Sequence, residues 1–301
     1  MKRVLIIDGG GAKGIIPATV LAIIEEHTDK KIHEIFDLIV GTSAGALIGG
    51  MLSTGKVSAR KYQEDTIKTT PKIFKKRLRI PIFQPKYSRK PLIDCLKKHI
   101  SDDFQMKACV TKFMSTSVNM VSGRTHYFKS WEEKDGNLSL IRVLNRSYAA
   151  PLYFGSIVDK ENKAVWLDGG TGINNSPQVE AYIEILRQEW LDHEPVHVLS
   201  IGCGQSDMII PFKEAARAKN LKQVYYYANP VNGGLARKQS VSTMTKWLEE
   251  ISNTSEDFSY QRLEVYNMSK DLDIMDGAKY IYCYEKMGEE IAKHVDYINL
   301  V

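Results

Sequence analysis

Three short stretches of this 301-residue chain hold residues that could do chemistry together. The first is Gly41-Thr42-Ser43-Ala44-Gly45, which follows the apolar run Leu38-Ile39-Val40 and precedes the small, apolar segment Ala46 to Leu52. A strand that runs through a G-x-S-x-G turn into a helix stands its serine at the tip of a sharp corner, ready to act as a nucleophile. Gly41 and Gly45 have no Cβ, so strand and helix can close on either side of Ser43. The amides that begin the helix favour negative charge beside the serine. A plain Gly-Ser turn would use the same residues. The second stretch is Asp8 followed by Gly9, Gly10, Gly11, Ala12, Lys13 and Gly14. It lies between the strand pattern Val4 to Ile7 and helical spacing over Ile15 to His27. Such glycines expose backbone N–H groups at a helix start, which suits an oxyanion hole. Gly9, Gly11 and Gly14 also fit the dinucleotide pattern G-x-G-x-x-G, but that pattern needs an acid ending a second strand about 20 residues on. Glu25, Glu26 and Asp29 fall in or just after the helix instead. In the third stretch, a strand pattern from Ala164 ends in Asp168, and Gly169-Gly170 lets the chain turn away. An aspartate at a strand-end turn would need no chemistry.

The elements that would position these residues read as strand-turn-helix units at 4–27, 37–52 and 164–191, which predict a three-layer α/β/α fold around a mostly parallel sheet. The length suits a single domain over 1–301, with the motif-bearing core at about 4–205 and a less certain part at 206–301. Further strands are expected at Lys112 to Val121, Thr125 to Phe128, Val196 to Ile201, Gln261 to Tyr266 and Lys279 to Tyr284. Helices are expected at Pro91 to Ile100, from Ser139 onward, and at Gln178 to Leu191, Lys213 to Tyr227, Ser240 to Ile251 and Met287 to Val295. Residues 56–70 read as a polar helix or loop.

Net charge is +5, from 41 basic and 36 acidic residues, too mild a balance to point to nucleic acid. Cys95, Cys109, Cys203 and Cys283 lie far apart, so neither a disulfide framework nor a metal site is expected, and a reducing, cytoplasmic setting fits. No apolar run is long enough to span a bilayer.

DGGGAKGIIPATVL followed by GTSAG resembles the patatin-like phospholipase family. The resemblance implies that Gly9 to Gly14 form the oxyanion hole, that Ser43 is the nucleophile and that Asp168, in the D-G-G motif, is the base of a Ser-Asp dyad. Gly10, Gly11 and Ala12 would then offer their N–H groups to the oxyanion. Lys13 stands where the family has arginine or lysine; a solvated helix-start residue is the other reading. Asn174-Asn175-Ser176-Pro177 carries one residue more than the family's N-N-P, and LSLIRVLNRSYAAPLYFGS resembles the segment that shapes the acyl site. The function implied is lipid acyl hydrolysis of the phospholipase A or lysophospholipase type, without metal or cofactor. Its substrate would be a phospholipid or other acyl lipid at a membrane surface; a small-molecule activator and a role as a regulated membrane-degrading effector are left open. The competing enzyme is an α/β-hydrolase with a Ser-Asp-His triad, for which His193, His197 and His294 follow Asp168. A non-enzymatic module of the same fold is the third reading. Residues 71–90 hold eight basic residues and no acid. Lys72, Lys75, Lys76, Arg77 and Arg79 there alternate with Phe74, Leu78 and Ile80, which suggests a surface for anionic lipid.

Overall fold

The computed structural model describes all residues except 77–83, 172–173, 207–209 and 228–233. In chain order the strands are β1 (Lys2–Ile7), β2 (Leu38–Thr42), β3 (Lys112–Asn119), β4 (Arg124–Lys129), β5 (Ile157–Asp159), β6 (Ala164–Asp168), β7 (Val196–Ile201) and β8 (Phe258–Leu263). The helices are α1 (Ile15–Thr28), α2 (Ile32–Ile35), α3 (Ala44–Leu52), α4 (Ala59–Ile73), α5 (Lys90–Leu96), α6 (Glu133–Gly136), α7 (Leu140–Ser147), α8 (Gln178–Arg187), α9 (Phe212–Ala216), α10 (Asn220–Tyr227), α11 (Gly234–Thr254) and α12 (Ile281–Ala292).

β3, β2, β1, β7 and β8 lie side by side and parallel. Alternation along β1 divides the core between two faces. Leu5 and Ile7 pack into a cluster with α1, α3 and α12, whereas Val4 and Ile6 pack with Ala181 and Ile185 of α8 and Leu248 of α11. The fold is therefore α/β with a central, mostly parallel sheet and a helical layer on each face.

The antiparallel strands build the site. β4 pairs along one edge of β3. On the other edge β2 runs up to Thr42, opposite Thr116, and β6 runs down to Asp168, opposite Ser117. The two strands meet head-on, which brings together residues 125 positions apart in sequence.

Two expectations are corrected. Lys279 to Tyr284 is no strand: a 3-10 turn at Ala278–Tyr280 leads into α12. Tyr280, Tyr282 and Tyr284 alternate as in a strand, but Ile281, Tyr284, Gly288 and Ala292 line the buried face of a helix. At Gly288 an added Cβ would lie 2.7 Å from the Ile16 carbonyl, so packing against α1 overrides β propensity. In the basic stretch, Ile73 and Phe74 are buried, and the Phe74 ring lies 5.2 Å from Tyr87 and 5.9 Å from Phe154. Phe74 is thus a core residue and does not face a membrane. Lys72, Lys75 and Lys76 are exposed, while Arg77, Leu78, Arg79 and Ile80 lie outside the described residues.

Candidate active site

Ser43 links β2 to α3 with φ 54° and ψ −119°, a conformation costly for a residue with a side chain and held only where its surroundings dictate it. The surroundings do so. A Cβ on Gly45 would lie 2.2 Å from the Ile7 carbonyl oxygen, so β1 and α3 touch backbone to backbone beneath the serine. The Ser43 N–H donates to Ser147 Oγ at 3.0 Å, and Thr42 Oγ1 shares a 2.7 Å hydrogen bond with Thr116 Oγ1. Ser43 is 2% exposed, and its hydroxyl donates to Asp168 Oδ2 at 2.6 Å.

Asp168 is buried at the end of β6, and the Gly170 N–H donates to its Oδ1 at 2.8 Å. Its own N–H donates to the Ala149 carbonyl at 3.0 Å, so the turn after α7 helps to hold it. Burial pushes the carboxyl up to about 6; the hydrogen bonds from Ser43 and Gly170 and the charge of Arg237 hold it from rising further. Such a group is ionised at neutral pH yet far more basic than an exposed aspartate.

The glycine loop faces this pair from the end of β1. Gly9 is fixed by Asn175, whose carbonyl accepts the Gly9 N–H at 2.9 Å and whose Nδ2 donates to the Gly9 carbonyl at 3.0 Å. The Gly10 and Gly11 N–H groups make no hydrogen bond to any described residue. Ala12 differs from expectation, because its N–H donates to the Met275 carbonyl at 2.7 Å. Gly11 has φ +61°, and a Cβ there would lie 2.3 Å from the same carbonyl. Lys13 is not solvated. It is 3% exposed, its Nζ lies 2.5 Å from Asp273 Oδ1, and it donates to the Gly204 carbonyl at 2.9 Å. Burial opposes the Asp273 charge, but Lys13 and the Ser206 hydrogen bonds outweigh it and hold that carboxyl down at about 2. Asp8, just before the loop, takes both terminal nitrogens of buried Arg262, at 3.0 and 2.6 Å. Arg237 Nη2 donates to the Gly9 carbonyl at 2.8 Å.

An apolar cavity of about 40 Å³ lies between the two loops and helices α4 and α5, lined by Gly11, Ala44, Ile48, Tyr62, Phe74 and Tyr148 among others. Its chemistry suits an alkyl chain.

The histidines proposed for a triad stand elsewhere. His197 pairs with Arg3 at the opposite end of the sheet, roughly 20 Å from Ser43 at about 3.3 Å per residue. It hydrogen-bonds Ser259 Oγ at 2.9 Å, and burial pushes it down to about 4. His193 lies on the surface just before β7, and His294 is exposed beyond α12. Ser147, Asn175, Arg237, Arg262 and Asp273 escaped sequence reasoning. Each acts through a partner far off in the chain; Asn175 and Ser147 sat in stretches that resemble the family, but nothing local marked what either side chain holds.

The family model described as patatin-like phospholipase matches residues 5–182. Relatives include a cGAMP-activated phospholipase of Escherichia coli, 32% identical over 220 residues, with 66% of this chain and 61% of that protein covered. A cGAMP-activated phospholipase of Vibrio cholerae is 27% identical over 227 residues, covering 66% and 63%. Patatin-like protein 2 of Oryza sativa is 30% identical over 263 residues, covering 72% and 64%. The matched region spans less than two thirds of the length of each relative. The chain belongs to the patatin-like phospholipase family.

Proposed function

We propose that this protein is a serine hydrolase of lipid acyl esters, phospholipids foremost, working through a Ser43–Asp168 dyad. The observation that carries this reading is the 2.6 Å hydrogen bond from a strained serine to a buried, basic carboxylate, with no histidine bonded to either among the described residues. Ser43 Oγ would attack the ester carbonyl carbon while its proton passes to Asp168 Oδ2. The Gly10 and Gly11 N–H groups would receive the oxyanion. Collapse of the tetrahedral intermediate would return the proton to the leaving alkoxide and leave an acyl-Ser43. Asp168 would then take a proton from water, the resulting hydroxide would attack the acyl carbonyl, and Ser43 would be re-protonated as the acid leaves. No step calls for a metal, so turnover is expected to persist in EDTA. The apolar lining of the cavity beside the two loops supports an acyl group as the group transferred.

Two relatives' names support a regulatory reading: a small-molecule activator of the cGAMP class. Vesicle hydrolysis and thermal shift with and without cGAMP test it; no response in either would remove it. The dyad is tested with Ser43→Ala and Asp168→Asn on one soluble ester and on phospholipid vesicles. Loss of both activities in both variants is expected, with an acyl adduct trapped on Ser43 of the wild-type protein. Turnover by Ser43→Ala would refute the reading.

A further inference from the structure

β3, β2, β1 and β7 run in the same direction, so whatever follows them leaves the sheet at one end. Ser43 follows β2 and the glycine loop follows β1. The β3–β4 turn follows β3 on one flank, and the segment bearing α9 and α10 follows β7 on the other. Both flanks carry large apolar side chains in water. In the turn, Met120 is 63% and Val121 66% exposed. They stand three and four residues beyond Ser117, the partner of Asp168, hence about 10 Å past the dyad. On the other flank, every residue from Pro211 to Tyr225 is exposed except Ala218. Phe212 is 85% and Leu221 88% exposed, and Leu221, Val224 and Tyr225 fall at i, i+3 and i+4 on one face of α10. So much apolar surface in two places on one end of a folded chain marks an interaction surface.

Charge indicates what covers it. Around α9 and α10 stand Lys213, Arg217, Lys219 and Lys222 with one acid, Glu214. Glu214 pairs with Lys222 at 3.0 Å; Lys213, Arg217 and Lys219 have no acid within ion-pair distance among the described residues. Arg124, beside the β3–β4 turn, is likewise exposed and without such an acid. Apolar side chains at helical spacing among unpaired cations match the boundary of an anionic bilayer, where the rings and alkyl groups enter the acyl region and the cations meet phosphates. α10 packs on α11, and Arg237 of α11 reaches the Gly9 carbonyl, so this flank is joined to the glycine loop.

We propose that α9–α10 and the β3–β4 turn seat the protein on an anionic bilayer, one on each side of the site, so that Ser43 opens toward the lipid between them. The proposal rests on the lipid hydrolase reading and moves the docking surface away from residues 71–90. The test uses Ser43→Ala protein, which leaves vesicles intact, sedimented with phosphatidylcholine vesicles with and without phosphatidylglycerol. Strong binding is expected only with the anionic lipid, weakened by salt. In that background Phe212→Ser/Leu221→Ser, and separately Lys213→Glu/Arg217→Glu/Lys219→Glu, should each weaken binding about tenfold or more, with Met120→Ser/Val121→Ser adding a smaller loss. All these positions are exposed, so folding should survive. Placed in the wild-type chain, the same substitutions should lower vesicle hydrolysis and leave turnover of a short soluble ester unchanged. Unchanged vesicle binding, equal binding to uncharged vesicles, or equal loss on both substrates would overturn the proposal. So would a lipid-free dimer in sedimentation velocity that Phe212→Ser/Leu221→Ser dissolves, since a second copy would then cover the face. Anionic vesicles bound through these residues, with neither vesicles nor a soluble ester hydrolysed by the wild-type protein with or without cGAMP, would support the surface and refute the hydrolase reading.

Discussion

Two loops converge on Ser43, and they are held in different ways. The serine corner at 41–45 is fixed by backbone contact: Gly45 against Ile7, Gly41 against Gly45, and the Ser43 N–H on Ser147. The glycine loop at 8–14 is fixed largely by charge from the last third of the chain. Arg262 holds Asp8, Arg237 holds the Gly9 carbonyl, Met275 holds the Ala12 N–H and Asp273 holds Lys13. On the proposed reading, the nucleophile would be built with the core, whereas the oxyanion donors would depend on whether residues 204–276 are in place.

The largest expected effect lies at the junction itself. Ser43→Ala or Asp168→Asn should each lower kcat by about 10⁴-fold or more with the fold intact, as for other residues that act as one catalytic unit. Below that comes the ionic side. Lys13→Met strands the buried Asp273 charge and should cost about 3–5 kcal/mol of stability. It should also lower kcat about 10²-fold, the scale of one misplaced oxyanion donor. Lys13→Met/Asp273→Leu separates the two effects: stability in a thermal melt should return, whereas kcat should not. If both return, the ion pair only stabilises the fold.

Asp168 links the comparison to pH. As the proposed base it would have to be ionised to accept the serine proton, so kcat/KM on a soluble ester should fall as pH drops through about 6, where its carboxyl titrates. Its folded pKa lies above the unfolded value of about 3.9. The folded state therefore holds this proton more tightly, and ionising the buried group costs stability as pH rises from about 4 to 6. Asp168→Asn should thus be the more stable protein above pH 6, by at most about 3 kcal/mol, an advantage that fades below about pH 4. Melting curves at pH 4 and pH 8 check it. The smallest effect is at Ser147: Ser147→Ala removes one hydrogen bond from the corner and should cost about 1 kcal/mol.

The same contrast explains what could be read from the sequence. Gly41, Gly45, Ser43 and the strand-ending Asp168 sit in local patterns with a direct backbone meaning, so the parallel core and the residues that meet were legible. The role of Lys13 was not, because its partner Asp273 lies 260 positions away and nothing local distinguishes a buried lysine from a solvated one. For the same reason Ala12 was expected to offer its N–H to an oxyanion, when Met275 already takes it. The alternating tyrosines at 280–284 suggested a strand until α1 supplied the surface that makes them helical. Phe74 looked like a membrane anchor because burial cannot be read from a basic, apolar stretch alone.

The most direct measurement is the rate at which a fluorophosphonate labels Ser43, since this acylation-like step needs the nucleophile, its base and the oxyanion donors but no lipid surface. Wild-type protein and His197→Ala should label at the same rate, Ser43→Ala not at all, and Asp168→Asn slower by about 10³-fold or more. Asp168→Asn labelled at the wild-type rate, or a folded His197→Ala or His294→Ala protein that fails to label, would contradict the dyad.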